Sequence, residues 1–98
     1  MDNSLTILYL AVKEYDEKYD GQDFTTTMGL LMDDLRYENR LHEMNVLSRI
    51  RTYRNDIAHH NANHDFSDAE KGCCLEDCIA ICELINAESA TADIKSII

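Results

Sequence analysis

Apolar residues recur along this chain at intervals of three and four, the spacing that stacks side chains on one face of an α-helix. Leu5, Leu8, Val12 and Tyr15 mark the first such face, with Glu14, Asp16, Glu17 and Lys18 outside it. Asp2, Asn3 or Ser4 can supply an N-cap, so a helix is predicted over about Ser4 to Tyr19. Asp20-Gly21-Gln22-Asp23 reads as the turn that follows. Phe24 or Thr25 opens a second helix with Met28, Leu31, Met32 and Leu35 inward, ending near Asn39 or Arg40. A third begins between Leu41 and Met44 and carries Val46, Leu47, Ile50, Tyr53 and Ile57 before the polar stretch Asn61 to Asp65.

The fourth helix has the sharpest start. Ser67-Asp68-Ala69-Glu70 fits a capping box, in which the serine and glutamate side chains each satisfy an otherwise orphan backbone amide. From there the helix is predicted to run to about Ala87. Its apolar positions, among them Cys74, Leu75, Cys78, Ile79, Ile81, Cys82, Leu84 and Ile85, spread well beyond one face and leave mainly Glu76, Asp77 and Glu83 for water. A helix this apolar in a small domain needs cover on two sides, and a second subunit is the expected source of one of them. The tail from Ala90 to Ile98 holds Ile94, Ile97 and Ile98, either as a short docking helix or as an extension onto a partner. The whole pattern predicts a single all-α domain over residues 1–98, an up-and-down four-helix bundle.

Composition agrees with helices. Proline is absent and glycine occurs only three times, so nothing in the chain breaks a helix interior outright. Ninety-eight residues suffice for one modest core, burying roughly 60 to 70% of the surface the unfolded chain exposes. The four cysteines, Cys73, Cys74, Cys78 and Cys82, all fall on the fourth helix, three of them on one stripe. Neither a disulfide framework nor a four-ligand zinc site is built that way, and they read as small buried hydrophobes. No apolar run approaches the roughly 18 to 20 residues of a membrane span, and Met1-Asp2-Asn3-Ser4 lacks the basic region of a signal peptide. A cytoplasmic protein without membrane contact is expected.

The net charge of −10 argues against general binding to a phosphate backbone. Its distribution softens that, because all five arginines, Arg36, Arg40, Arg49, Arg51 and Arg54, lie between positions 36 and 54. Against Glu38, Glu43 and Asp56 they give the segment Arg36 to His60 a charge of +2, leaving −12 for the rest. Arg36, Arg40 and Arg49 are expected to pair with acids of neighbouring helices.

Projected at about 100° per residue, the third helix turns Leu47, Ile50, Tyr53 and Ile57 to the core and Arg49, Asp56 and His60 away from it. Arg51, Asn55 and His59 form an i, i+4, i+8 row along one flank, with Arg54 beside it at the edge of the core. An arginine there needs an acidic partner, and Asp33, Asp34 or Glu38 of the second helix could supply one. A substrate phosphate or a second copy of the chain could do so instead. His59, His60 and His64 do not make a convincing metal cluster, because adjacent histidines leave a helix on different sides.

The segment Arg54-Asn55-Asp56-Ile57-Ala58-His59 resembles the Arg-(four to six residues)-His motif of the HEPN superfamily, in its form Arg-Asn-x-x-Ala-His. The resemblance implies a small helical homodimer and, in many members, a metal-independent endoribonuclease with no cofactor. It implies that Arg54 contacts the scissile phosphate, that His59 moves protons and that Asn55 helps to place the site. Arg51, on the same row as Asn55 and His59, is the candidate for a further RNA contact. Implied roles include a toxin or defence effector whose cognate protein partner is an antitoxin or a nucleotidyltransferase. The motif ends here in His59-His60-Asn61, whereas toxins paired with small nucleotidyltransferases usually end it in His-x-Tyr. Other members of the superfamily bind RNA or protein without cutting, so a non-catalytic helical dimerisation or interaction module is the alternative. A salt bridge closed by Arg54 inside a purely structural bundle is a third.

Overall fold

A computed structural model describes residues 3–59 and 68–97, together with their side chains except those of residues 56–59 and 68. The described residues are helical throughout their regular structure, with no strand among them.

The first helix, α1 (Asn3–Tyr15), is shorter than its sequence pattern predicts. Asp16 leaves the helix with extended backbone (φ −150°, ψ 137°) and its carboxylate accepts the Lys18 amide at 3.1 Å, starting a 3-10 turn over Glu17–Tyr19. That turn swings Tyr19 into the core, where its side chain is fully buried and its hydroxyl donates to Asp34 Oδ2 at 2.6 Å. Lys18 closes on the same carboxylate from outside. A polar turn thus becomes an anchor, because the one large apolar group in it can be buried with its polar tip satisfied.

Helix α2 (Phe24–Tyr37) begins where expected, with the Asp23 carboxylate accepting the Thr26 amide at 2.7 Å as an N-cap. Its end at Tyr37 is a Schellman motif. Asn39 adopts the left-handed conformation at φ 61°, its amide reaches the Arg36 carbonyl at 3.0 Å, and the Arg40 amide reaches the Leu35 carbonyl at 2.8 Å. Helix α3 (Leu41–His59) starts two residues later. Helix α4 (Asp68–Leu84) closes in the same way, with Asn86 at φ 58° and the Ala87 amide on the Cys82 carbonyl at 2.8 Å. It stops short of the predicted Ala87 so that a fifth helix, α5 (Glu88–Lys95), can turn back. Ser67, the serine of the expected capping box, lies outside the described residues.

Helices α1 and α3 each pack against both α2 and α4, and α5 packs against α1 and α4. The space between them is filled by Leu5, Leu8 and Val12, by Met28, Leu31 and Leu35, by Val46, Leu47 and Ile50, and by Cys78, Ile81 and Cys82. Ile94 of α5 is fully buried, so the tail docks on its own chain. This changes the reading of α4. Its broad apolar surface meets α1, α3 and α5 within one chain, so the need for cover on two sides no longer points to a second subunit. Asp77 also departs from expectation. Left for water by its sequence position, it is instead buried between α4 and α3.

Candidate functional site

Of the residues singled out on α3, Arg51 and Arg54 reach α2. Ile50 and Leu47 hold the helix against the core, which fixes the rotation of everything between them. At that rotation Arg51 is half-buried against α2, where Nη1 lies 3.5 Å from the Met32 sulfur. Arg54, one turn on, is half-buried and lays its guanidinium over the Phe24 ring, 6.0 Å from the centroid. Asn55 is exposed beside them. His59 closes the helix one turn after Asn55, and its side chain lies outside the described residues, as do His60, His64 and the side chain of Asp56.

Phe24 is the residue that the sequence pattern misses. It belongs to a chain of stacked groups running across three helices, in which Lys13 sits over the Tyr9 ring at 5.0 Å and Tyr9 packs against Phe24 at 6.0 Å. Arg54 lies over the same Phe24 ring. The Tyr9 hydroxyl donates to the Gln22 carbonyl, which ties the turn before α2 to α1. No local periodicity marks Phe24 for this task, since the ring becomes a platform only when α2 and α3 are packed together.

The five arginines divide cleanly. Arg49 donates Nε and Nη2 to the two carboxylate oxygens of Asp77 at 3.0 and 2.9 Å, a bidentate bridge from α3 to α4. Arg49 thus pairs with an acid of a neighbouring helix, as expected, while staying exposed, because its aliphatic stem carries the charged head across to α4. Arg40 pairs with Glu43 at 2.9 Å and Arg36 with Asp33 at 3.5 Å, both with acids three residues along rather than on another helix. Arg51 and Arg54 have no carboxylate within ion-pairing distance among the described side chains. The acids available to Arg54 from α2 are engaged elsewhere, Asp33 with Arg36 and Asp34 with Lys18 and Tyr19. An internal salt bridge from Arg54 to either of those two residues is therefore not what this fold contains.

The Asp23 carboxyl is held below its usual range chiefly by the Thr26 amide, with the Arg54 charge as a lesser contribution. Cys74, Cys78 and Cys82 are free and buried, as the helical stripe predicts, while Cys73 is exposed. Burial holds the Cys82 thiol up at about 11, and Cys78 is raised by its hydrogen bond with Cys74 and by burial. Such thiols stay protonated and unreactive at neutral pH. Among the described residues no group of His, Cys, Asp and Glu is arranged to hold a metal ion, and no helix is long and apolar enough to cross a membrane. No protein-family model, curated protein or solved structure matches this chain.

Proposed function

We propose that the chain is a cytoplasmic, metal-independent endoribonuclease of HEPN type, a homodimer built on a four-helix up-and-down arrangement to which α5 is appended. One observation carries this reading. Of five arginines, only Arg51 and Arg54 are left without a carboxylate among the described side chains, and they stand on the same flank as Asn55, on the helix that ends at His59. A half-buried guanidinium that lies over a phenyl ring, with no carboxylate in ion-pairing distance among the described side chains, is suited to receive an anion. In the reaction, His59 takes the proton of the 2′-hydroxyl or returns one to the departing 5′-oxygen, a task suited to an imidazole that titrates near neutrality. Arg54 stabilises the charge that develops on the phosphorane, and Arg51 holds the neighbouring backbone. In a symmetric dimer two such flanks share one cleft. The products are a 2′,3′-cyclic phosphate and a 5′-hydroxyl. A toxin or defence role, with an antitoxin or nucleotidyltransferase as partner, belongs to the same reading.

The test is cleavage of single-stranded or loop RNA in EDTA. His59→Ala and Arg54→Ala should each lower the rate by about 10² to 10⁴ while the protein stays folded. His60→Ala should change it little on this reading, because a spacing of about 100° per residue sets it off the row of Arg51, Asn55 and His59 in the sequence. Equal cleavage by wild type and His59→Ala would expose a contaminating nuclease.

A non-catalytic interaction module is the second reading. The net charge of −10 and the exposed apolar residues Leu10 and Tyr15 favour it. Failure of every RNA tested to be cut would select it.

A further inference from the structure

A groove runs between α1 and the corner where α4 turns into α5, with a volume of about 440 Å³. Its floor is apolar. Ile7, Leu10 and Ala11 line it from α1 at helical spacing, and Ala90 faces them from α5. The groove exists because α5 docks through one large side chain, the buried Ile94, while Ser89 and Ala90 are too short to fill the space above α1. Leu10 and Tyr15, both on its lining, are left 53% and 55% exposed, so the groove offers apolar surface to a partner.

The rim has one sign of charge. Glu14, Glu88 and Asp93 stand along it, no lysine or arginine lines it, and none of the three carboxylates has an ion-pair partner among the described residues. The lysines of this region are engaged elsewhere, Lys13 over the Tyr9 ring, Lys18 with Asp34 and Lys95 with Glu83 at 3.9 Å. An apolar trough with an acidic rim selects for its complement, a strip of apolar side chains flanked by cations.

We infer that this groove is a docking site for a basic amphipathic helix of another protein, which lays its apolar residues on Leu10 and Ala90 and sets lysine or arginine against Glu14, Glu88 and Asp93. The site is independent of the proposed ribonuclease centre, because no residue of α3 lines it. Occupation of the groove leaves the Arg54 flank open.

A short synthetic amphipathic helix of leucines and lysines, carrying a fluorescent label, serves as the probe. Its binding to the whole chain is followed by anisotropy at physiological ionic strength, where distant surface charges are screened. Charge reversal at the rim, Glu14→Lys with Glu88→Lys and Asp93→Lys, should weaken binding at least about tenfold. The same reversal placed off the groove, Asp20→Lys with Glu38→Lys and Glu76→Lys, gives an identical net charge and should weaken it by less than about threefold. Leu10→Ser should also weaken it without unfolding the chain, since Leu10 is outside the core. Equal losses in the two triple variants would reduce the effect to bulk charge and overturn the proposal. So would unchanged binding by Leu10→Ser. Self-association of the wild type that Leu10→Ser abolishes would assign the groove to a second copy of this chain and overturn it as well.

Discussion

Asn39 and Asn86 hold φ at 61° and 58°, in the left-handed region where a β-carbon crowds the following carbonyl oxygen. Asparagine tolerates this better than other side chains, and glycine tolerates it freely. Asn39→Gly should therefore leave stability unchanged or raise it by up to about 1 kcal/mol, whereas Asn39→Val should cost about 1 to 2 kcal/mol. Urea denaturation decides between them, and a valine variant as stable as the glycine one would show that the left-handed backbone is not what ends α2. The Tyr19-Asp34-Lys18 node makes a separate prediction about pH. Asp34 is held below its ordinary value of 3.8 first by the Lys18 hydrogen bond and then by that of Tyr19. A lowered folded-state value gives stability that is present above 3.8 and lost as the pH falls through the folded value. Tyr19 is raised above its ordinary value of 10.0 by burial and by its bond to Asp34, so its contribution is complete below pH 10 and lost as the pH rises beyond. Asp34→Asn should flatten the acid limb of the stability profile and Tyr19→Phe the alkaline limb. An unchanged alkaline limb in Tyr19→Phe would remove Tyr19 from the account.

At the scale of elements, the bridge between α3 and α4 is the interaction most exposed to single changes. Asp77 is buried, while its partner Arg49 is half open to solvent, so removing the arginine strands a carboxylate that water reaches poorly. Arg49→Ala should cost about 2 to 3 kcal/mol, and the double change Arg49→Met with Asp77→Leu should recover most of it. A single variant as stable as wild type would mean that Asp77 rehydrates. This bridge also marks where sequence reading runs out. The periodicity of Leu5, Leu8 and Val12 or of Leu47 and Ile50 is local, and it correctly finds α1 to α4, though not the ends of α1 and α4, together with the inward cysteine stripe and the turn at Asp20 to Asp23. The short 3-10 turn at Glu17–Tyr19 and the inward Asp77 depend on partners 15 and 28 residues away, which no local pattern encodes. The same holds for the site. Arg54 and Asn55 could be placed on one flank from helical spacing alone, but Phe24 beneath Arg54 could not, and neither could the engagement of Asp33 and Asp34 by other cations.

For the whole molecule, the decisive number is how many phosphates the protein neutralises. An acidic chain of net charge −10 repels RNA at long range, so affinity must come from the few cations that are free to contact it. Arg51 and Arg54 are the two arginines without a carboxylate in ion-pairing distance among the described side chains. Each phosphate contact on a single strand contributes about −0.7 to the slope of log binding constant against log salt concentration. One flank acting alone therefore predicts a slope of about −1.4, and a symmetric dimer with both flanks in one cleft predicts about −2.8. Anisotropy titrations with an RNA carrying a 2′-deoxy sugar at the scissile position measure binding without cleavage. Light scattering on the same samples reports whether the mass is 11.3 kDa or about twice that. A slope near −2.8 together with the dimer mass, falling towards zero in Arg51→Ala with Arg54→Ala, is the outcome the proposed site requires. A monomer mass with a slope near −1.4 would separate the anion site from the shared cleft. A slope that ignores both substitutions would place any RNA contact away from α3 and sink the ribonuclease reading at its one structural support.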